Sequence, residues 1–309
     1  MAETIRAITK RAAEQILLVS GAAALARAWH RHDVVVLAYH NIVPDDAPPC
    51  GDASLHISRS RFAEQLDLLQ RTHAIVPLAE ALEEPAGRRR GRPRAAITFD
   101  DAYRGAVTLG LTELARRGMS ATVFVAPGLL GGEGFWWDRV AGPDGLRGPS
   151  EFRTRALEQC AGRAKAVLEL ASASGLRVLE VPAYARCVSE AELSAVARDG
   201  SVAVGSHSWS HPNLAALPAG ELSAELVRPL AWLRERFDRV VPILAYPYGR
   251  HTASVIVAAR DAGYAAALRI DGGWLRPGAF DPWRVPRVDV AAGVSVAGFA
   301  VRASGLFAA

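Results

Sequence analysis

The chain has 309 residues and is half hydrophobic, which allows a large core in one or two domains. Its 36 basic and 32 acidic residues leave a net charge of +4, and the five arginines of "RRRGRPR" (88–94) exceed that surplus. The basicity is therefore local. It argues against a general nucleic-acid-binding surface, and the run reads as a solvated loop.

Cys50, Cys160 and Cys187 are scattered and form no CxxC pair, so neither a disulfide framework nor a cysteine metal site is indicated. No apolar run reaches the ~18 residues of a membrane-crossing helix. The stretch "RAAEQILLVSGAAALARAW" (11–29) has basic residues ahead of it and a small-residue tail, as a signal peptide does. Glu14 and Gln15 interrupt its start, however. It reads as an amphipathic helix lying on a membrane or on the domain, with a cleaved signal as the alternative. Residues 1–32 are set apart as an N-terminal helical segment, and 33–309 as one domain. The expected compartment is cytoplasmic or inner-membrane-associated, with secretion as the alternative.

Beyond that segment, "DVVVLAYH" (33–40) is a β-branched run suited to a strand buried on both faces. Residues 60–71 place Phe62, Leu66 and Leu69 on one helical face. "AAITF" (95–99) reads as a strand, 104–118 as a helix ending at Gly118, and "SATVFVA" (120–126) as a strand. A Gly-rich aromatic loop (128–145) follows, then helical stretches over 151–173 and 189–199. "VAVGSH" (202–207), "VPILAYP" (241–247) and "YAAALRI" (264–270) are strand-like, separated by helices over 219–237 and 252–263. This alternation predicts a mainly parallel α/β sheet, either a distorted or partial (β/α) barrel or an open doubly wound sheet. Both place a site at the carboxyl ends of the strands. No G-x-G-x-x-G or P-loop follows a strand, so no nucleotide site is expected.

Two clusters sit at such strand ends. Asp100 and Asp101 follow strand 95–99, and "GSHSWSHPNL" (205–214) follows the strand at 202. His207 and His211 are four apart, and Pro212 disfavours helix at His211, so a tight loop should aim both imidazoles at one point. Two histidines and a carboxylate leave positions open for water and substrate, the pattern of a catalytic metal site. Each cluster has an ordinary alternative. Histidines at this spacing are common on surfaces, and either aspartate could cap the helix near Arg104.

"TFDDAY" (98–103) resembles the TFDDG signature of the polysaccharide deacetylases, the NodB-homology or carbohydrate esterase family 4 enzymes. "HSWSH" (207–211) matches their H-[ST]-x-x-H motif, and "YPYG" (246–249) resembles their R-x-P-Y-G motif. The resemblance spans roughly residues 34–290 and implies a distorted (β/α) barrel, a divalent metal, usually Zn2+, and hydrolysis of an N-acetyl group from an amino sugar. Carried over by position, Asp101, His207 and His211 would be metal ligands, Asp100 the general base, and the backbone N–H of Tyr248 an oxyanion donor.

The chain departs from the pattern in three places. Ala102 replaces the motif glycine, and Ala245 replaces the arginine that orients the base, for which Arg287 in "WRVPRVDV" (283–290) is the preferred substitute over Arg250. No histidine follows His251, so the late L-x-H motif that supplies the general acid has no match. His251 itself is a weak candidate. His40 could line the site or be structural, "FWWD" (135–138) could stack on sugar or pack in the core, and His56 and His73 read as structural.

The expected function is therefore metal-dependent carbohydrate N-deacetylation on a poly- or oligosaccharide or its precursor. The alternatives are a deformylase or amidase of the same fold acting on a lipid-linked saccharide, and a catalytically silent saccharide-binding domain. The expected partner is a saccharide with an N-acetylated sugar, with peripheral membrane association open, no nucleic acid, and no oligomeric state assigned.

Overall fold

The computed structural model describes residues 2–83, 91–142, 145–198 and 200–307. Its centre is six parallel strands: β1 (Val34–Tyr39), β2 (Arg94–Phe99), β3 (Ala121–Val125), β4 (Val202–Ser206), β5 (Val240–Ala245) and β6 (Ala266–Leu268). They lie side by side in the order β6-β5-β4-β3-β2-β1. All six residues of β1 are buried, as the unbroken apolar run requires of a strand covered on both faces.

The two faces serve different cores. Val34, Val36, Ala96, Phe124, Ala245 and Leu268 pack with one another on the enclosed side of the sheet. The alternate residues Val35, Leu37, Ile97 and Val123 pack outward with Phe62, Leu66 and Leu69 of the helix Arg59–Thr72. On β5 and β6, Leu244 and Ala267 pack against the helices Ala219–Arg236 and Ala253–Asp261. Each large apolar side chain so buried contributes about 1.5–3 kcal/mol, which sets the register of every strand.

A short return segment decides between the two predicted architectures. The N–H of Val285 donates to Ala267 O (3.0 Å), and its own carbonyl accepts from the N–H of Arg269 (2.9 Å). Three residues on, Val288 and Asp289 pair in parallel with Leu37 and Ala38 of β1. One stretch thus touches both outer strands and curls the sheet into a half-barrel. The open doubly wound alternative does not form.

Several helices differ from their sequence reading. The N-terminal segment is two helices, Ala2–Val19 and Ala22–Trp29, broken at Gly21, whose φ of 80° glycine adopts without steric cost. The stretch 151–173 is likewise Ser150–Gln159 and Ala164–Ala173, interrupted by positive φ at Ala161 and Gly162. The aromatic loop after 128 contains a short helix, Trp136–Arg139. The helix after the aspartates starts at Arg104 and runs at once into a π turn, Ala106–Gly110, while the Asp100 carboxylate is turned to Arg287 and Asp101 Oδ1 to the histidines, away from a capping role. Of the arginine run, 88–90 lie outside the described residues, while Arg94 starts β2 and is buried rather than solvated. All three cysteines are free thiols.

Candidate active site

Each strand end delivers one part of the site. The N–H of Asp100 donates to Tyr39 O (2.9 Å), and that of His207 to Val125 O (2.8 Å), so both residues prolong the parallel ladder before the chain turns away. The turns are tight. Among the described residues, six non-glycine positions have positive φ, and five of them belong to the motifs: Asp101, Ala102, Ser208, His211 and Tyr248. Such left-handed conformations cost roughly 1–2 kcal/mol per L-residue and concentrate where surrounding structure holds a side chain for function. Ala102 therefore bears a φ of 51° at the position where the family motif has glycine.

Asp101, His207 and His211 converge, with one ligand atom from each lying within 4.8 Å of the others. Asp101 Oδ1 is 3.2 Å from His211 Nε2 and 3.5 Å from His207 Nε2, and the two imidazole nitrogens are 3.1 Å apart. His207 Nδ1–H donates to Ala245 O (2.8 Å), which turns the Nε2 lone pair toward the cluster. Burial, reinforced by His211, lowers the His207 pKa to about 4, so the ring is neutral as a ligand must be. Asp101 Oδ1 and His211 Nδ1 are buried without a hydrogen-bond partner among the described residues. A divalent cation would answer the deficit at Asp101 Oδ1: it needs three converging lone pairs, here Oδ1 and the two Nε2 atoms, and supplies the charge that the buried carboxylate lacks.

Asp100 is a contrast. It is buried but fully partnered: Arg287 Nη1 and Nη2 donate to its two oxygens, each at 2.7 Å. Arg287 is itself fully buried, held by Arg269 O (2.7 Å) and Thr98 Oγ1 (3.2 Å). Burial works to raise the Asp100 pKa, yet the Arg287 charge outweighs it and holds the carboxyl well below the usual range. Arg250 is exposed and plays no part in this pair.

Asp100, Asp101, His207 and His211 line one cavity of about 230 Å3 together with His40, Tyr248, Trp137, Asp289, Arg147 and Arg153. Tyr248 has its ring 4.6 Å from that of His211, and its hydroxyl accepts from Trp136 Nε1 (3.0 Å). Phe135 and Trp136 are core aromatics, and Trp137, stacked on Phe135 at 4.7 Å, also reaches the cavity. His251 stacks on Tyr246, outside the lining. His73 is structural, bonded to Ala303 O (2.8 Å).

Other supporting residues were not visible in the sequence. Glu225 accepts from the N–H groups of Trp209 (2.9 Å) and Ser210 (2.8 Å) and from Ser210 Oγ (2.6 Å), pinning the loop between the two histidines. Asp138 accepts from Tyr103 Oη (2.6 Å), the N–H of Asp52 (3.0 Å) and His56 Nε2 (3.1 Å), tying the turn after Asp101 to the cavity wall. A lone glutamate on an amphipathic helix and an aspartate after two tryptophans carry no local signal of either task.

Residues 87–267 match the family model for polysaccharide deacetylase, and the chain belongs to that family of hydrolases. The fold is shared with the Streptococcus pyogenes deacetylase PplD in complex with acetate (14% identity, 87% of this chain and 97% of that one, TM-score 0.60). It is shared equally with IcaB from Ammonifex degensii (22% identity, 87% and 97%, TM-score 0.60). A polysaccharide deacetylase from Bacillus cereus is similar at 17% identity, over 88% of this chain and 68% of that one, with a TM-score of 0.62. No curated protein matches the chain in sequence.

Proposed function

We propose that the chain is a metal-dependent N-deacetylase releasing acetate from an N-acetylated amino sugar in a poly- or oligosaccharide or its precursor. The carrying observation is that a cation-deficient Asp101–His207–His211 cluster and an ion-paired Asp100 line the same cavity. A divalent cation held by Asp101, His207 and His211, most simply Zn2+, would polarise the acetyl carbonyl and acidify the attacking water.

The chain's own residues do the rest. Each Asp100 oxygen spends one lone pair on Arg287 and keeps another, so the carboxylate accepts the proton of the attacking water while its position stays fixed. Arg287 is thus the positioning residue that the third motif lacks at Ala245. The backbone N–H of Tyr248 donates to the developing oxyanion; the locked side chain and left-handed φ of 59° hold that turn at the cavity wall. His40, at the end of β1, lines the cavity beside both aspartates and protonates the departing amine nitrogen, the task for which no late histidine exists.

The test is acetate release from a panel of N-acetylated oligosaccharides and lipid-linked N-acetyl sugars, before and after chelation. Release that a chelator stops and Zn2+ restores supports the reading. Saccharide binding without acetate release would show a silent binding domain instead, and release of formate alone from N-formyl sugars would show a deformylase.

A further inference from the structure

We propose that the N-terminal helices and the C-terminal turn form a docking face for an anionic lipid bilayer. Eight large hydrophobic side chains are exposed among the described residues, and five belong to this one region: Ile16 (63%), Val19 (73%), Leu25 (74%), Trp29 (80%) and Phe307 (70%). The other three are valines on three separate elements. Monomeric surfaces rarely gather such side chains without a partner.

The helices are already seated, so this face is not a core face awaiting closure. Helix Ala2–Val19 packs on helix Val296–Arg302, and Glu14 accepts from Ser295 Oγ (2.6 Å). Ala23 is buried, while Leu25 and Trp29 point away. A Cβ on Gly305 would lie 2.5 Å from the His30 ring, so the turn that carries Phe307 rests against the end of helix Ala22–Trp29.

Charge identifies the occupant. Of the side chains described on the two helices, Glu14 is the one acidic group, and it is bonded inward. Arg31 and Arg302 are exposed beside the apolar residues. Apolar side chains with an aromatic edge and flanking arginines suit the interface of an anionic membrane, where cations gain from the surface potential. Among the described residues no helix is long and apolar enough to cross a membrane, so the contact is peripheral. A groove of about 500 Å3 leads from Phe307 and Arg302 to Ile270 and Asp289, which also line the catalytic cavity. The docking face is thus continuous with the site, although the inference does not depend on the deacetylase reading.

The experiment is co-sedimentation of the full chain with phosphatidylcholine vesicles with and without phosphatidylglycerol. Wild type should pellet with the anionic vesicles, and the Leu25→Ser/Trp29→Ser variant should bind at least about tenfold more weakly with an unchanged melting temperature. Arg31→Glu/Arg302→Glu should weaken binding about tenfold on anionic vesicles. Wild type left in the supernatant, or a double serine variant that pellets equally, overturns the proposal. So does light scattering that shows a dimer dissolved by the serine substitutions, which would make the patch a self-association face.

Discussion

Two neighbouring halves of the cavity differ in what they still require. Asp100, Arg287 and Thr98 form a closed set in which the carboxylate has two short charge-assisted bonds and the guanidinium has further acceptors. One residue along the chain, Asp101 crowds its carboxylate against the imidazoles of His207 and His211, and its Oδ1 is left without a hydrogen-bond partner among the described residues. The first half is complete in protein alone and the second wants a positive charge. Adjacent aspartates thereby acquire unlike environments, which is how one site separates a ligand from a base.

The largest effect should come from the open half. His207→Gln or Asp101→Asn removes a ligand and should abolish both stoichiometric Zn2+ binding and acetate release, measured by metal analysis and product assay. A variant that keeps full metal content would break the contrast.

The closed half should respond in stability first. Arg287→Met strands a buried carboxylate and should cost about 3–5 kcal/mol by denaturant unfolding. Asp100 has a depressed pKa, so its stabilising contribution is present above the ordinary carboxylate range and lost as pH falls through the lower folded value. Without Arg287 burial alone acts on that carboxyl and raises its pKa, so the deficit of Arg287→Met should be largest near neutral pH and shrink as the carboxyl takes up a proton in acid. Adding Asp100→Asn to it should recover part of the loss, because no buried charge remains.

Glu225→Gln tests the loop between the histidines. It weakens a charge-assisted bond to two N–H groups, and about a tenfold loss of metal affinity is expected with the fold retained.

The smallest effect concerns His56. Burial works to lower its pKa, yet the Asp138 contact prevails and raises it to about 10. The stabilisation is then full below the ordinary value of 6.5 and is lost as pH rises through about 10. His56→Gln should flatten the fall of stability over that window, followed as melting temperature against pH.

Much of this arrangement was readable because it is local. β1 announces itself as an unbroken apolar run and β2 as a short, largely apolar one, and the aspartates and histidines stand at strand ends inside their motifs. What escaped is long-range. The return segment at 285–289 pairs only two residues with β1, too few for any period, although it closes the sheet. Glu225 and Asp138 act through partners that the fold brings near, and the breaks at Gly21 and Ala161 depend on backbone angles that side-chain periodicity does not encode. The motif resemblance points to Arg287, and its bidentate geometry explains how a residue 187 positions beyond Asp100 can do the work of an arginine missing at Ala245.

The most direct test of the account is Asp100→Asn, assayed for metal and product in the same preparation. The division between the halves predicts Zn2+ bound as in wild type and acetate release down by about 10^3-fold or more. Acetate release close to wild type, or loss of the metal together with activity, would contradict it.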